Sequence, residues 1–222
     1  MDPFSIRRTR MVEDQLKRRD IVDRRVLDAM TKVPRHLFVA PGDQDQAYDD
    51  RPLPTGYGQT ISQPYIVAFM CQVLELTKDC KVLDVGTGSG YAAAILGELS
   101  QTVIGIERIG ELAKFAKINL KSARCSNVEV HIGDGCLGFP PEAPYDAIHV
   151  AAGAPVEPAQ LRDQLKIGGR LVVPVGSSKR HQHLKLIRRT CGDAYQVTDL
   201  GSVSFVPLIG ENSWQSGSSN TD

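Results

Sequence analysis

An acidic side chain and three alternating glycines lie close together in the segment Val82–Tyr91, which reads Val-Leu-Asp-Val-Gly-Thr-Gly-Ser-Gly-Tyr. The glycines, Gly86, Gly88 and Gly90, can take positive φ angles, and they leave no Cβ atom between the backbone and a bound molecule. A helix that follows such a turn offers free N–H groups at its N-terminus. The segment therefore predicts a strand, a tight turn and a helix that together bind a nucleotide-type cofactor.

The spacing of these glycines indicates which cofactor is bound. The dinucleotide fingerprint is G-x-G-x-x-G, whereas this chain has G-x-G-x-G, with Asp84 two residues before the first glycine. A carboxylate suits the ammonium and sulfonium charges of S-adenosylmethionine, and it would repel a pyrophosphate. The pattern thus favours S-adenosylmethionine over a nicotinamide cofactor.

Two further carboxylates follow apolar runs in the same way. Glu107 ends the run Thr102–Glu107, at a distance from the turn where a carboxylate can accept both ribose hydroxyls. Asp134 follows the run Val128–Ile132. A glycine turn alone also fits a tight turn in any α/β protein, but three acidic strand ends in order favour the cofactor site.

The elements that must position these residues alternate along the chain. Strands are predicted at Lys81–Val85, Val103–Glu107, Val128–Ile132, Asp146–Val150 and Arg170–Val175, with helical spans between them. Such alternation predicts an α/β fold with a parallel sheet and right-handed crossovers. The segments His183–Arg189 and Tyr195–Phe205 predict an antiparallel hairpin that closes one edge of the sheet.

The first third of the chain is predicted to be helical around a loop. One or two amphipathic helices are expected from Ser5 to about Met30, packed against the main domain. The segment Asp49–Gly58 is too rich in proline and glycine to predict regular structure. A helix from Tyr65 to about Leu76 then places Ser62 at or near an N-cap.

One domain accounts for the whole organisation. Residues 1–209 are expected to form it, with N-terminal helices and a functional loop in 1–78 and the Rossmann-like core in 79–209. Residues 210–222 are polar and rich in small side chains, which predicts a disordered tail.

Composition narrows the class of protein further. Lysine plus arginine equals aspartate plus glutamate, 26 against 26, so no overall field would attract nucleic acid or an anionic membrane. Five cysteines without a C-x-x-C pair indicate neither a disulfide framework nor a zinc site, and they fit a reducing cytosol. No apolar run reaches the ~18 residues of a membrane span. His36 and His149 are interpreted as packing residues, and no metal is expected.

Four segments together resemble a known family. They are Asp50–Ser62, Val82–Tyr91, Tyr145–Pro155 and Ser204–Leu208, and the block Gly-Tyr-Gly-Gln-Thr-Ile-Ser in the first is the most specific. The chain resembles protein-L-isoaspartate O-methyltransferases from about Met11 onward. The resemblance implies a Rossmann-like S-adenosylmethionine-dependent methyltransferase fold and methyl transfer to the α-carboxylate of isoaspartyl residues in damaged proteins and peptides. The cysteine usage favours a cytoplasmic protein, and the oligomeric state stays open on the sequence, with a monomer favoured.

The same resemblance implies roles for individual residues. Ser62 matches the active-site serine of the family, which hydrogen-bonds the substrate carboxylate; an ordinary helix N-cap would use the same oxygen. The remaining implied contacts are Thr60 and Ile61 with cofactor or substrate, Asp84, Gly86, Gly88 and Gly90 with the cofactor, Glu107 with ribose, Asp134 and Gly135 with adenine, and Phe205, Val206 and Pro207 with the substrate backbone. Tyr65 departs from the family pattern, because many relatives have a histidine there.

Three alternatives remain open on the sequence. A methyltransferase for another carboxylate or a small molecule would keep the cofactor residues without the loop around Ser62. An adaptor would bind the cofactor and damaged protein segments without turnover. A nicotinamide oxidoreductase fits least, because the glycine spacing differs and no hydride site is evident.

Overall fold

A seven-stranded sheet organises the computed structural model, which describes residues 2–178 and 181–215. The strands of the sheet are β3 (Lys81–Val85), β4 (Thr102–Glu107), β5 (Val128–Ile132), β6 (Tyr145–Val150), β7 (Leu165–Val175), β8 (Gln182–Cys191) and β9 (Ala194–Val203), and a separate hairpin contains β1 (Leu53–Gly56) and β2 (Gln59–Ile61). The order is β5-β4-β3-β6-β7-β8-β9. The first five strands are parallel and the last two pair antiparallel, which confirms the predicted α/β sheet and its closing hairpin.

Helices pack against the sheet and also form the N-terminal part of the chain. They are α1 (Pro3–Arg10), α2 (Arg24–Lys32), α3 (Pro64–Val73), α4 (Tyr91–Leu99), α5 (Gly110–Ser122) and α6 (Ala159–Arg162). A π-helical segment, Met11–Leu16, continues α1, and short 3-10 turns lie at Arg35–Phe38, Pro41–Gln46, Gly135–Leu137 and Pro140–Glu142. No helix in the described part of the chain is long and apolar enough to cross a bilayer.

The central strands are apolar along their length because both faces of the sheet are covered. Val82 and Ala147 pair across β3 and β6 and pack on one face, with the N-terminal helices, α3 and α4. Leu83 and Ile148 pair at the next position and pack on the opposite face. The same alternation places Asp84 and its partner on β6 on the face that carries the N-terminal helices.

The N-terminal segments belong to the larger of the two cores. Met11 and Leu16 of the π-helical segment and Met30 of α2 are fully buried in the cluster that contains Ile95 of α4. Their charged neighbours remain outside, where Arg18 pairs with Asp14. This confirms the predicted packing of amphipathic helices against the main domain.

The hairpin β1–β2 differs from the sequence prediction of irregular structure. Leu53 pairs with Ile61, and the two-residue turn Tyr57-Gly58 has φ angles of 54° and 69°. Two positive φ values define a type I′ turn, whose twist matches that of the strands it joins. The prediction fails because the usual sequence signal of this turn is Asn-Gly, and this chain has Tyr57 in place of the asparagine.

The segment after Ile209 also differs from its prediction. Residues 210–215 form a turn rather than a disordered start of the tail, and Ile209 bridges Trp214. The Trp214 Nε1–H group donates a hydrogen bond to the carbonyl of Gly153 at 3.0 Å. An aromatic side chain that docks in this way holds a segment whose composition alone indicates disorder. The predicted disorder of residues 216–222 lies outside the described residues.

Candidate active site

A cleft opens at the carboxyl edge of the sheet. One wall is the hairpin segment Gln59–Ser62, and the floor is the glycine turn with the ends of β4 and β6. The opposite wall is the segment Phe205–Ile209. The cleft therefore collects residues from all four segments on which the family resemblance rests.

The three glycines of the turn serve two purposes. Gly86 and Gly88 border the cleft with φ angles of 77° and 59°. Gly90 begins α4 at φ 96°, and a Cβ atom there would lie 3.2 Å from Leu120 and 3.4 Å from Ala116 of α5. The first two glycines thus shape the cavity, whereas the third lets two helices approach.

Glu107 is held rigidly at the cleft by backbone groups. Its carboxylate accepts hydrogen bonds from the N–H groups of Gly88 and Ile109, both at 2.9 Å. A carboxylate has roughly four lone-pair positions, so acceptor capacity remains for a diol. The side chain is 6% exposed and lines the cleft, which is the placement predicted for a ribose contact.

Gly135 lines the cleft, and its neighbour Asp134 lies just behind it. The two oxygens of Asp134 accept hydrogen bonds from the N–H groups of Cys136 at 2.9 Å and Glu211 at 2.7 Å. A Cβ atom on Gly135 would lie 2.6 Å from the side chain of Val85, so no larger residue fits there. The structure thus brings Gly135 to the cavity and ties Asp134 to the 210–215 turn.

Asp84 is placed beneath the cleft rather than on its surface. Its side chain is fully buried, and one carboxylate oxygen lies 2.7 Å from Nδ1 of His149. His149 lines the cleft, although the sequence analysis assigns it to packing. Strand register explains the pair, because the two residues stand side by side on β3 and β6. Periodicity alone cannot reveal that neighbour.

Ser62 lies at the end of the hairpin wall and is half-buried. The N-cap of α3 is Gln63, and no side chain caps that helix. Thr60 and Ile61 accompany Ser62 along the cleft. The geometry therefore does not support the alternative in which Ser62 is an ordinary helix cap.

A buried arginine supports Ser62 from behind. Arg35 donates hydrogen bonds to the carbonyls of Ala47 at 2.7 Å and Ser62 at 2.8 Å, and its guanidinium lies 4.7 Å from the ring centre of Tyr91. Burial lowers the pKa of Arg35 to about 10, so the group stays charged at neutral pH. The sequence analysis missed this residue, because the contact joins segments 27 residues apart.

The opposite wall is fixed by a buried glutamine. Gln182 is 1% exposed, accepts a hydrogen bond from the N–H of Phe205 at 2.8 Å and donates one to the Phe205 carbonyl at 3.2 Å. The N–H of Gly153 then donates to the carbonyl of Val206 at 2.8 Å. Phe205, Val206 and Pro207 thus form an extended segment along the cleft, as their predicted role requires.

Tyr65 points toward the N-terminal segment. Its hydroxyl donates a hydrogen bond to Asp20 at 2.7 Å, and the guanidinium of Arg19 lies 3.4 Å from its ring centre. Burial and the neighbouring carboxylate raise the pKa of Tyr65 to about 12. The residue that departs from the family pattern therefore ties α3 to the segment between the π-helix and α2.

Comparisons with known proteins show which family the chain is similar to. The family model described as protein-L-isoaspartate(D-aspartate) O-methyltransferase (PCMT) matches residues 6–213. A protein-L-isoaspartate O-methyltransferase of Methanoculleus marisnigri is 51% identical over 214 residues, which cover 96% of each chain. One from Protochlamydia amoebophila is 50% identical over 95% of this chain and 100% of its own.

Two solved structures share the fold over most of the chain. One is a candidate protein-L-isoaspartate O-methyltransferase from Plasmodium falciparum in complex with S-adenosyl-L-homocysteine, with a TM-score of 0.80, 29% identity, and coverage of 91% of this chain and 98% of that one. A protein-L-isoaspartate O-methyltransferase matches with a TM-score of 0.82 and 28% identity over 92% of this chain and 66% of that one.

Proposed function

The chain belongs to the protein-L-isoaspartate(D-aspartate) O-methyltransferase family, and from that membership we propose how its residues carry the family's reaction. The protein transfers a methyl group from S-adenosylmethionine to the α-carboxylate of L-isoaspartyl residues in damaged proteins and peptides. Such residues arise when asparagine or aspartate cyclises to a succinimide that reopens at the wrong carbonyl. The methyl ester recyclises readily, which permits repair.

The cavity fits S-adenosylmethionine in its chemistry. Glu107 keeps acceptor capacity for the ribose hydroxyls while two backbone N–H groups fix its position. The glycine turn at Gly86 and Gly88 brings backbone close to a ligand, and Gly135 also borders the cleft. When bound, the cofactor supplies an electrophilic methyl group on a sulfonium.

The substrate carboxylate needs no general base. Its reference pKa lies near 3.5 to 4, so it is already an anion at neutral pH. The protein has to hold one carboxylate oxygen in line with the reacting carbon, because positioning makes a bimolecular step effectively unimolecular. Because the reaction needs no base, a serine that positions the carboxylate is sufficient at this site.

Ser62 performs this positioning in our proposal, and it is the residue that we assign to catalysis. Its hydroxyl donates a hydrogen bond to the substrate carboxylate, while Arg35 holds its carbonyl from the buried side. The single observation that carries the proposal is that Ser62 lines the same cleft as Glu107. Thr60 and Ile61 contribute backbone contacts from the hairpin.

The remaining predicted site residues fall into groups according to where they lie relative to the cleft. Phe205 and Val206 bind the substrate backbone on the wall fixed by Gln182. Gly86 and Gly88 contact the cofactor directly, whereas Asp84, Gly90 and Asp134 act from behind the cavity surface. The hairpin β1–β2 serves as the lid that excludes water, which otherwise solvates the charges that disappear in the transition state.

We further propose that the protein works as a cytoplasmic monomer. All five cysteines are free, which fits a reducing compartment. One chain is enough to build the cleft, because it supplies the hairpin, the glycine turn and the Phe205 segment that form the walls. Light scattering coupled to gel filtration should give a mass near the 24.2 kDa of one chain. A mass near that of two chains would contradict the proposed monomeric state.

Two matched peptides test the proposed roles. The purified protein is incubated with methyl-labelled S-adenosylmethionine and a peptide that carries either isoaspartate or normal aspartate at one position. Label should appear as base-labile ester on the isoaspartyl peptide alone, and Ser62→Ala should reduce it. Label on neither peptide, despite cofactor binding, would favour the adaptor or another substrate.

A further inference from the structure

The loop that carries the hairpin β1–β2 is closed at its two ends. It runs from Asp50 to Gln63, and we call it the hairpin loop. The Nε2 group of Gln63 donates a hydrogen bond to the carbonyl of Asp50 at 3.0 Å. Ser62 is the chain neighbour of Gln63, so a group that fixes the ends of this loop also fixes the residue that we assign to catalysis.

Arg19 contacts the start of the hairpin loop and the helix that follows its end. Its Nη1 group donates a hydrogen bond to Oδ2 of Asp50 at 3.0 Å. Its guanidinium carbon lies 3.4 Å from the ring centre of Tyr65, the third residue after Ser62. Both contacts are possible at once because a guanidinium is planar, so its face stacks on a ring while its edge donates to a carboxylate. Arg19 therefore links the two ends of the loop.

The backbone next to Arg19 is itself anchored on α3. The side-chain amide of Gln72 accepts hydrogen bonds from the N–H groups of Val22 at 2.7 Å and Asp23 at 2.9 Å. The same amide donates a hydrogen bond to the carbonyl of Asp20 at 2.9 Å. The arginine thus extends from a fixed segment, and its two contacts hold the loop in one place relative to α3.

We propose that Arg19 is a positioning residue for methyl transfer, because it links the two ends of the hairpin loop and thereby sets the place of the Ser62 hydroxyl in the cleft. This inference rests on the proposed function, since it concerns how the assigned residue is held. Arg19 is not among the residues that line the cleft, so it acts through the loop rather than on substrate or cofactor. A misplacement of about 1 Å can lower a rate by about 100-fold, so a contact outside the cleft can control turnover.

The exposure of the contact separates this role from a contribution to stability. The side chains of Arg19 and Asp50 are 43% and 34% exposed, and ion pairs in such positions add little to the free energy of unfolding. Loss of Arg19 should therefore leave Tm within about 2 °C of the parent value. Glu107 is held by backbone N–H groups of other segments, so Kd for S-adenosylhomocysteine should stay within about 2-fold of the parent value.

Steady-state kinetics of the full chain with the isoaspartyl peptide test the proposal. Arg19→Gln removes the cation and should lower kcat by about 5-fold or more. Arg19→Lys keeps the charge without the planar group and should restore part of that loss. Arg18→Gln is the matched control, because Arg18 is the chain neighbour and pairs with Asp14 at the surface. It should leave kcat unchanged.

Two double-mutant cycles follow the route of the effect. Asp50→Asn should lower kcat by itself, and Arg19→Gln should add little in that background, because both changes break one contact. Arg19→Gln should also add little in the Ser62→Ala background, because the hydroxyl that it places is gone. Additive losses in either cycle would overturn the inference, since Arg19 would then act independently of the loop or of Ser62.

Other results would also overturn the inference. An unchanged kcat in Arg19→Gln would show that the loop keeps its place without the arginine. An equal loss in Arg18→Gln would assign the effect to net charge in this segment. A fall in Tm of more than about 5 °C without rescue by Arg19→Lys would make Arg19 a structural residue. A rise in Kd for S-adenosylhomocysteine as large as the fall in kcat would place the effect on the cofactor.

Failure of the proposed function looks different from failure of this inference. A parent protein that methylates neither the isoaspartyl peptide nor its aspartyl counterpart would refute the proposed function and, with it, the role of Arg19. A parent that methylates the isoaspartyl peptide while Arg19→Gln does so equally well would refute the role of Arg19 alone. The parent rate is therefore the first measurement of the series.

Discussion

Ser62 is held by its backbone on one side and presented to the cleft on the other. The hydrogen bond from Arg35 to its carbonyl fixes the residue without using the hydroxyl. Ser62→Ala should lower kcat by about 10-fold or more, because positioning of the substrate carboxylate is lost. Steady-state kinetics with an isoaspartyl peptide measure the effect.

A serine elsewhere supplies the control for that variant. Ser122→Ala removes an exposed hydroxyl at the end of α5, where it bonds only the helix backbone. It should leave kcat unchanged, and the affinity of Ser62→Ala for S-adenosylhomocysteine should stay within about 2-fold of the parent. Undiminished turnover in Ser62→Ala would remove its assigned role.

Arg35 should act through Ser62 rather than on the substrate. Its planar guanidinium reaches two separate carbonyls, those of Ala47 and Ser62, which the single ammonium of a lysine cannot reproduce. Arg35→Lys should therefore reduce kcat in the parent. In the Ser62→Ala background the same substitution should cost little more, because residues in one network are not additive. Additive losses in this double-mutant cycle would show an independent structural effect.

The hairpin β1–β2 carries a conformational strain at its tip. Tyr57 is 61% exposed and has a φ of 54°, a region that favours glycine and asparagine over aromatic residues. Tyr57→Asn should raise the free energy of unfolding by about 0.5–1 kcal/mol and Tm by about 2 °C. Thermal unfolding followed by circular dichroism measures the shift.

The matched variant at this turn keeps the strain. Tyr57→Phe retains the ring and the backbone conformation, so its Tm should equal that of the parent. A lower Tm in Tyr57→Asn would mean that the ring contributes contacts that outweigh the strain. A higher Tm together with a raised KM for the peptide would show that the exposed ring is kept for substrate binding.

The helices, the sheet and the 210–215 turn should unfold together. The N-terminal helices share one core with α4, and Trp214, the only tryptophan of the chain, docks on the carbonyl of Gly153. Tryptophan fluorescence and far-ultraviolet circular dichroism should therefore give coincident transitions in urea. An earlier fluorescence transition would indicate that the turn releases before the domain unfolds.

Bound ligand provides a second check on the same transition. S-adenosylhomocysteine at 100 times its Kd should stabilise the protein by about 2.7 kcal/mol. Both signals should shift by the same amount if the cleft and the domain form one cooperative unit. This outcome would support residues 1–209 as a single domain, as the sequence organisation predicts.

The sequence was informative wherever a local pattern decides the structure. The strand Lys81–Val85 was predictable because a parallel strand buried on both faces is a continuous apolar run, and the glycine turn follows from spacing. The hairpin was missed because Tyr57 occupies a turn position that usually has asparagine. A local pattern also favoured disorder over 210–215, where the tertiary contact of Trp214 decides.

Two site residues lay beyond any local pattern. A single histidine in the apolar strand β6 indicates packing, and only the register of β6 against β3 shows that His149 stands beside Asp84. Arg35 is the first residue of a 3-10 turn and lies far along the chain from the Ser62 carbonyl that it supports. Contacts between distant segments set both roles, and a single sequence does not contain them.

Asp134 and Gly135 give the protein a chemical vulnerability of its own. Aspartate followed by glycine ages readily, because the unhindered glycine nitrogen can attack the preceding side-chain carbonyl, the ring closure that creates isoaspartate. Here Cys136 and Glu211 hold the two carboxylate oxygens by their N–H groups. A side chain restrained in this way is kept from turning onto the Gly135 nitrogen. The contacts behind the cleft should therefore slow the ageing of a protein that repairs the same damage in others.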